Sequence, residues 1–314
     1  MTSYNYKVLV TAPPILPKLN NYRKLFEEKS IELITPDNII ESLSSKDLIP
    51  IISDIDGILC GDDEIDEKVI LAAKKLKVIS KWGTGIDSID SDFAMKKGIK
   101  VCRVKDIFSE PVTDSVLAYI LIFCRKIFEK DSIVRDNKWE KVESFTLKEK
   151  TIGIIGLGHI GYTLAKKTSY LGMKVYGYDT KNLSNEYHEN IKIVDLDTLL
   201  QESDFISLHC DLNESSYHLI SYDQFYKMKK DCIIINTSRG QVIHQEALEL
   251  ALRKKIISGA ALDVFEDEPL EKNSSLRDFK NVFLSPHNSN GSVDTFNKVD
   301  RASIQNIFNA LNIK

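Results

Sequence analysis

The sequence predicts an α/β fold with two parallel-sheet domains, and three observations support this prediction. Short apolar strands alternate with charged, helix-like segments along the chain, which is the pattern of βαβ units. The strands fall into two series, separated by a long helix-like stretch that begins near Pro111. The length of 314 residues suffices for two domains of roughly 150 residues each.

The elements follow one another in a regular order. The strands of the first series read YKVLVTA, IELIT, IDGILCG, LKVISKW and IKVCRV, with helix-like stretches such as DEIDEKVILAAKK between them. One long helix, PVTDSVLAYILIFCRKIFEK, comes next, since Pro111 suits a first helical turn, where its missing N–H costs nothing. After a polar segment that contains Trp139, the second series reads TIGIIG, KVYGYD, DFISLHC, CIIINTS, GAALDVF and NVFLSPH. A final helix reads TFNKVDRASIQNIFNALN.

Composition excludes several classes of function. With 42 basic and 46 acidic residues the net charge is −4, and no long basic block occurs, so we expect neither a nucleic-acid nor a membrane partner. The longest uncharged apolar run, Val116 to Cys124, is far too short to span a bilayer, and the N-terminus lacks the features of a signal peptide. The five cysteines form no CxxC pair, so we expect reduced thiols, a cytoplasmic location and no metal site.

One glycine motif carries a functional signal. Gly156-x-Gly158-x-x-Gly161 follows a strand and opens a helix. The first glycine permits a tight turn, the second lets the backbone approach a pyrophosphate at the helix N-terminus, and the third lets helix and strand pack closely. The next strand, KVYGYD, ends in Asp179, whose carboxylate would accept hydrogen bonds from a ribose and repel a 2′-phosphate. The motif predicts NAD rather than NADP; the alternative is a plain turn beside a surface aspartate.

Three ionisable residues occupy the same topological place. Arg239, Glu268 and His287 each follow a strand of the second series, and the carboxyl ends of parallel strands form the edge where ligands bind. Taken singly, each has an ordinary explanation. The arginine can pair with an aspartate, the glutamate belongs to an acidic run typical of a solvated surface, and a lone histidine needs no function. Together with the glycine motif they predict one cleft.

The three side chains suit a hydride transfer between a nicotinamide and a carbonyl or carbinol carbon. Reduction of a carbonyl leaves negative charge on its oxygen, so a proton donor must stand beside it, and histidine donates and accepts near neutrality. A carboxylate on the far ring nitrogen fixes the tautomer and favours the protonated imidazole, which is the role we assign to Glu268 beside His287. The fork of Arg239 can hold a substrate carboxylate with two parallel bonds and polarise the adjacent carbonyl.

These residues resemble the D-isomer-specific 2-hydroxyacid dehydrogenase family, which includes D-3-phosphoglycerate dehydrogenase, hydroxypyruvate reductase and D-lactate dehydrogenase. The segments that carry the resemblance are KWGTGIDSID, KTIGIIGLGHIG, SDFISLHCDL, MKKDCIIINTSRG, ISGAALDVFEDEPL and NVFLSPH. The resemblance implies Rossmann-like or flavodoxin-like domains: a discontinuous substrate-binding domain, residues 1–102 plus 286–314, around an inserted NAD-binding domain, residues 103–285. It also implies conversion between a 2-oxo acid and a D-2-hydroxy acid, with 3-phosphoglycerate and glycerate or hydroxypyruvate as candidate substrates.

The resemblance assigns the same roles to the three ionisable residues and adds others. Asp263 would hold the carboxamide of the nicotinamide, and backbone amides near Thr84 and Gly85 would share the substrate carboxylate with Arg239. Further cofactor contacts would come from His159, Ile160, His209 and Thr237. The family also implies a homodimer, with the segment around Trp139 near the partner chain.

Several positions depart from the family pattern. Asn288-Ser289-Asn290 stands where glycines are common after the histidine, beside the expected position of nicotinamide and substrate, so we expect a difference in reactivity or substrate shape. Asp211 replaces a usual proline and Ser88 a usual asparagine, and neither change removes a proposed chemical group. We expect no further domain after residue 314, so the allosteric domain of some phosphoglycerate dehydrogenases would be absent.

Other functions stay open at this point. Related proteins oxidise formate or phosphite, although the glutamate at position 268 differs from the glutamine typical of formate dehydrogenases. A non-enzymatic NAD-sensing scaffold of the corepressor type could retain similar residues, although long tails and low-complexity docking segments are lacking here. Lys81 and Arg103 could favour a phosphorylated substrate, so the sequence does not identify the acid.

Overall fold

The computed structural model describes residues 4–37, 39, 41–181 and 190–313. The chain divides into two compact units, a first unit of Met1–Ile107 with Ser292–Lys314 and a second unit of Phe108–Gly291. Each unit is built on its own sheet, with five strands described in the first and seven in the second. The α/β fold with two parallel sheets, predicted from the sequence, is confirmed.

All strand pairs among the described residues are parallel. The first sheet has the order β2-β1-β3-β4-β5 and the second the order β12-β11-β10-β9-β6-β7-β8. The strand order of the second sheet reverses between β6 and β9, and such a switch point is where open α/β sheets bind ligands. The strands are β1 (Tyr6–Val10), β2 (Ile31–Ile34), β3 (Gly57–Cys60), β4 (Val78–Lys81), β5 (Lys100–Cys102), β6 (Thr151–Ile155), β7 (Lys174–Tyr178), β8 (Ile191–Ile193), β9 (Phe205–Leu208), β10 (Ile233–Asn236), β11 (Gly259–Leu262) and β12 (Val282–Leu284).

Helices connect the strands of each sheet. They are α1 (Asn20–Glu28), α2 (Ser45–Leu48), α3 (Glu67–Ala72), α4 (Ser91–Lys96), α5 (Ser109–Arg125), α6 (Ile127–Arg135), α7 (His159–Tyr170), α8 (Leu196–Glu202), α9 (Tyr222–Lys227), α10 (Gln245–Arg253) and α11 (Val293–Ala310). The last helix, α11, packs on β4 of the first sheet, where the hydroxyl of Ser80 donates to the carbonyl oxygen of Ser303 at 2.9 Å. Of the helices in the described part of the chain, none is long and apolar enough to cross a bilayer.

Strand β10 shows why the apolar runs of the sequence are continuous. Ile234 belongs to the apolar cluster on one face of the second sheet, whereas Ile233 and Ile235 belong to the cluster on the other face. Because both faces of the sheet are covered, every residue of β10 is buried. The strand therefore lacks the alternation of apolar and polar residues that is typical of a strand with one exposed face. Polar residues begin at Asn236, where the strand reaches the edge of the sheet.

Two details differ from the sequence prediction. The stretch predicted as one helix after Pro111 forms two helices, α5 and α6, because Lys126 adopts a left-handed conformation between them, with φ 49° and ψ 47°. Strand β8 was not predicted. Only Ile191 of β8 is buried, while Lys192 and Ile193 are exposed, so its apolar pattern is too short to be recognised.

Candidate active site

The glycine motif forms the turn between β6 and α7. Gly156 has a φ of +90°, a left-handed conformation that favours glycine, and a Cβ there would lie 2.6 Å from the backbone nitrogen of Cys210. A Cβ on Gly161 would collide with the carbonyl oxygen of Gly156, whereas a Cβ on Gly158 would meet no atom within 4 Å. The fold therefore requires two of these glycines, while Gly158 borders open space that a ligand can approach.

The start of α7 lies beside this open space and has the features that an anion site requires. Gly158 is the N-cap residue and has no side chain to accept hydrogen bonds from the first N–H groups of the helix. The first turn, which contains His159 and Ile160, therefore presents N–H donors and the positive end of the helix dipole. A dinucleotide pyrophosphate fits such a helix N-terminus.

Asp179 follows β7 and is tied to the glycine turn. Its Oδ2 atom accepts a hydrogen bond from the backbone N–H of Leu157 at 2.8 Å, and its Oδ1 atom accepts from the N–H of Lys181 at 2.9 Å. Each carboxylate oxygen can accept more than one bond, so these contacts leave acceptor capacity for a ribose hydroxyl. The negative charge at this position fits NAD and opposes a 2′-phosphate.

Two further residues assigned to cofactor contact lie on neighbouring loops. His209 follows β9, and its Nε2 atom lies 2.8 Å from the hydroxyl oxygen of Ser207. Burial lowers the pKa of His209 to about 3, which favours the neutral ring at physiological pH. Thr237 follows β10, and in the described structure its buried hydroxyl has no hydrogen-bond partner. The cofactor contacts assigned to His209 and Thr237 stay predictions.

His287 and Glu268 are in hydrogen-bond contact. The Nδ1 atom of His287 lies 2.8 Å from Oε2 of Glu268, and Oε1 of the same carboxylate accepts from the backbone N–H of Phe265 at 2.9 Å. The two side chains are 21% and 23% exposed, which limits screening of the pair by water. Since Nδ1 faces the carboxylate, a proton exchanged with a substrate would pass through Nε2.

Asp263 holds the segment that carries His287. Its Oδ1 and Oδ2 atoms accept from the backbone N–H groups of Asn288 and Ser289, both at 2.9 Å, and its carbonyl oxygen accepts from the N–H of His287 at 2.8 Å. These bonds stabilise His287 in a left-handed conformation, with φ 48°, which residues with a side chain rarely adopt. The role of Asp263 toward the nicotinamide carboxamide stays a prediction, and its role in positioning His287 was not foreseen.

Arg239 lies in the loop between β10 and α10, and Asn236 shapes that loop. The Nδ2 atom of Asn236 donates to the carbonyl oxygen of Arg239 at 2.8 Å, and its Oδ1 atom accepts from both the N–H and the hydroxyl of Ser238. The guanidinium of Arg239 is partly buried and donates through Nη1 to the carbonyl oxygen of Ser238 at 3.0 Å. Hydrogen bonds from Asn236 therefore hold the backbone of the loop that carries the Arg239 side chain.

The loops that carry the three ionisable residues are adjacent, because their strands β10, β11 and β12 are neighbours in the sheet. Gly240 packs closely against the loop after β11, since a Cβ on it would collide with the carbonyl of Phe265. A cation, an imidazole and a carboxylate therefore lie along one sheet edge. The catalytic roles assigned to Arg239, Glu268 and His287 stay predictions.

Thr84 and Gly85 lie in the first unit, in the loop after β4. The hydroxyl of Thr84 donates to the carbonyl oxygen of Val104 at 3.0 Å, and Nη1 of Arg103 donates to the carbonyl oxygen of Thr84 at 3.2 Å. Arg103 is thus engaged in holding this loop. The assignment of Thr84 and Gly85 to substrate binding stays a prediction.

Lys81 is an internal residue of the first unit. Its side chain is 3% exposed, and its Nζ atom donates to the carbonyl oxygen of Gly61 and to Oδ1 of Asp62, each at 2.6 Å. Burying a lysine charge is costly unless it is paired and hydrogen-bonded, and both conditions are met here. The charge of Lys81 therefore serves the fold, which weakens the argument for a phosphorylated substrate.

The positioning roles of Asn236 and Asp263 were missed at the level of sequence. Asn236 ends β10 and Asp263 follows β11, and these polar side chains are only 1% and 2% exposed. The available signal was a polar residue at the end of an otherwise apolar run. Such a residue is buried at a cost unless it is hydrogen-bonded, so it marks a loop with fixed geometry.

Comparisons with known proteins give one family match and several similar chains. The model of one family, described as D-isomer specific 2-hydroxyacid dehydrogenase, NAD binding domain, matches residues 117–289. A glyoxylate reductase of Thermofilum pendens is 39% identical over 277 residues, 85% of this chain and 82% of that protein. A hydroxypyruvate reductase of Thermotoga maritima is 35% identical over 278 residues, 87% of this chain and 90% of that protein. The solved structure of D-lactate dehydrogenase from Aquifex aeolicus, complexed with NAD and lactic acid, is 25% identical and has a TM-score of 0.86, covering 95% of this chain and 93% of that chain.

Proposed function

Since the chain belongs to the D-isomer specific 2-hydroxyacid dehydrogenase family and is an NAD-dependent oxidoreductase, we propose that it reduces short, unphosphorylated 2-oxo acids such as glyoxylate and hydroxypyruvate. The observation that carries this proposal is the contact of 2.8 Å between His287 and Glu268, at the sheet edge that also bears the glycine turn. A paired imidazole and carboxylate is the apparatus that proton transfer to a carbonyl oxygen requires.

The proton transfer is assigned to His287. When bound, NADH supplies a hydride to the carbonyl carbon, and the oxygen takes up the charge. His287 gives its Nε2 proton to that oxygen, while Glu268 stabilises the imidazolium before the transfer and fixes the ring orientation throughout. In the reverse direction the same ring accepts the hydroxyl proton, so one pair serves both directions.

Arg239 is assigned to the substrate carboxylate. Its fork can make two parallel charge-assisted bonds to a carboxylate, and it starts from a backbone that Asn236 fixes. Binding a carboxylate one bond away from the reacting carbon also places the carbonyl within reach of the guanidinium. This arrangement selects 2-oxo acids over simple aldehydes and ketones.

The contacts of Lys81 and Arg103 favour a small, unphosphorylated acid. The charge of Lys81 is buried and paired inside the first unit, and Arg103 donates to the carbonyl oxygen of Thr84. Relatives named glyoxylate reductase, hydroxypyruvate reductase and D-3-phosphoglycerate dehydrogenase are 39%, 35% and 38% identical to the chain, so they support the class of 2-oxo acids and not one member of it.

The test is NADH oxidation with a panel of acids: glyoxylate, hydroxypyruvate, phosphohydroxypyruvate and pyruvate. We expect the highest kcat/KM with glyoxylate or hydroxypyruvate. His287→Ala should lower kcat by roughly two to four powers of ten and leave NADH affinity near that of the wild type, because the ring acts on substrate oxygen. A preference for phosphohydroxypyruvate would refute the substrate assignment, and an active His287→Ala enzyme would refute the proton-transfer assignment.

We also propose a homodimer and a cytoplasmic location. Large apolar side chains cluster on and after α6, where Ile127, Phe128, Val134 and Trp139 are 49%, 54%, 56% and 83% exposed. Such a patch is costly in a monomer and suits contact with a second copy. Sedimentation equilibrium tests the dimer, and a monomer at micromolar concentration would refute it. The free thiols of all five cysteines suit a reducing compartment.

A further inference from the structure

A second histidine–carboxylate pair lies near the candidate active site. The Nε2 atom of His218 lies 2.6 Å from Oε1 of Glu266, and the two side chains are 25% and 27% exposed. His218 belongs to the loop between β9 and α9, and Glu266 to the loop after β11 that also carries Glu268. The pair therefore joins two loops at the same sheet edge, and no step proposed so far uses it.

The His218–Glu266 pair is one of several contacts that surround the loop of Arg239. The backbone N–H of His218 donates to the carbonyl oxygen of Gln241 at 2.8 Å, and Nε2 of Gln241 donates to the carbonyl oxygen of Glu266 at 2.7 Å. The loop after β10 is thus held between the loops after β9 and β11. Gly240, the neighbour of Arg239, packs directly on the backbone of that last loop.

The surroundings of His218 fix its ring. The ring of Tyr217 stacks on it with centroids 4.1 Å apart, and the ring of His244 meets it edge-on at 4.4 Å. His244 is itself committed, because its Nδ1 atom accepts from the N–H of Ala247 at the start of α10, and Tyr222 packs against its ring at 5.3 Å. The titratable groups that face His218 are therefore Glu266, Tyr217 and His244, with Tyr222 behind.

His218 has a left-handed backbone conformation. Its φ is 50°, in the left-handed region that few non-glycine residues adopt and in which asparagine, aspartate and histidine are enriched. A histidine there is compensated by contacts of its side chain, and its hydrogen bond to Glu266 is the shortest of them.

We propose that His218 and Glu266 form a positioning pair, which holds the Arg239 loop and the turn from Phe265 to Glu268 in the arrangement that substrate reduction requires. This inference rests on the proposed function. Glu266 and Glu268 belong to the same turn, and Glu268 contacts His287. The carboxylate of Glu268 also accepts a hydrogen bond from the N–H of Phe265 in this turn. Loss of the hydrogen bond between His218 and Glu266 would displace both the guanidinium of Arg239 and the carboxylate of Glu268.

The test compares three variants of the full chain. His218→Asn suits the left-handed backbone but is too short to reach Glu266, whereas His218→Gln is long enough to donate to it. Lys229→Gln is the matched control. It breaks the 3.2 Å ion pair of Lys229 with Asp204, which lies at the amino ends of the strands of the same sheet, away from the candidate active site. Steady-state kinetics with glyoxylate over pH 5.5–9 and backbone hydrogen exchange of residues 239–243 and 265–268 are measured for each.

We expect His218→Asn to raise KM for glyoxylate about 5- to 20-fold and to lower kcat by less than about 5-fold, with NADH affinity unchanged. The basic limb of its kcat profile should move about half a pH unit lower, because a displaced Glu268 favours the imidazolium less. Exchange of both segments should rise. His218→Gln should stay within about 2-fold of the wild type in KM, as should Lys229→Gln.

The proposal is overturned if His218→Asn and Lys229→Gln match in KM, pH profile and exchange. It is also overturned if His218→Asn only lowers the melting temperature while the kinetics of the folded enzyme are unchanged, since that outcome shows a purely structural pair. If the wild type reduces no 2-oxo acid, the proposed function fails. The exchange data then decide whether the pair fixes the two segments.

Discussion

Glu268→Gln provides the sharpest test of the acid/base pair. The carboxylate accepts two hydrogen bonds, from the N–H of Phe265 at 2.9 Å and from the Nδ1–H of His287 at 2.8 Å. A glutamine side chain cannot accept both hydrogen bonds in the same way, because it offers one accepting oxygen and one donating NH2 group. If its oxygen accepts from Phe265, its amide donates toward Nδ1 and holds the imidazole neutral; if it turns over, two donors face each other at Phe265.

The size of the effect follows from the bond that is lost. A hydrogen bond to a charged group contributes about 1.5–3 kcal/mol, which corresponds to roughly a 10- to 150-fold change in rate. We therefore expect kcat/KM for 2-oxo acid reduction by Glu268→Gln at pH 8 to fall about 10- to 150-fold. The deficit should shrink toward pH 5.5, because bulk solvent then protonates the imidazole without help from the carboxylate.

The assay is NADH oxidation followed across pH 5.5–9, with Glu271→Gln as the control. Glu271 is an exposed acid further along the same segment, so its replacement removes one negative charge without touching the pair. A Glu268→Gln enzyme that kept the wild-type rate at pH 8 would refute the reasoning. An equal loss at every pH would also refute it, since that result would indicate displaced geometry rather than a lost charge.

Three further predictions follow from the site. Arg239→Lys should raise KM for 2-oxo acids about 10- to 100-fold, because a point charge replaces a bidentate fork; an unchanged KM would show that the carboxylate binds elsewhere. Gly158→Ala should keep the wild-type melting temperature yet weaken NADH binding in titration calorimetry, whereas Gly161→Ala should fold poorly, because its Cβ would collide with Gly156; equal melting temperatures for the two variants would contradict this. The folded-state pKa of His209, about 3, lies below the ordinary 6.5, so the unfolded chain binds this proton first as pH falls. The free energy of unfolding should therefore decline between about pH 6.5 and 3, and denaturant titrations of His209→Gln should show a weaker decline; equal slopes would contradict the shift.

The sequence by itself determined much of the architecture. Continuous apolar runs such as Ile233 to Ile235 indicate strands covered on both faces, and glycines placed directly after a strand indicate the turn that admits a pyrophosphate. Positions at strand ends sufficed to group Arg239, Glu268 and His287 at one edge. Edge strand β8 was not predicted, because a short, half-exposed strand has almost no hydrophobic pattern. The left-handed residue Lys126, where the predicted helix divides in two, is not indicated by its residue type.

Only the tertiary structure decided how the site is held in place. Lys81 reads in the sequence as a cation near a binding edge, yet folding brings Gly61 and Asp62 to it and encloses its charge. The hydrogen bonds of Asp263 to the segment after His287 likewise join residues far apart in the chain. Such pairings depend on which strands become neighbours and on their register. Hydrophobic periodicity is a local property and specifies strands, whereas a charge or a polar side chain acquires its partner only when distant loops meet.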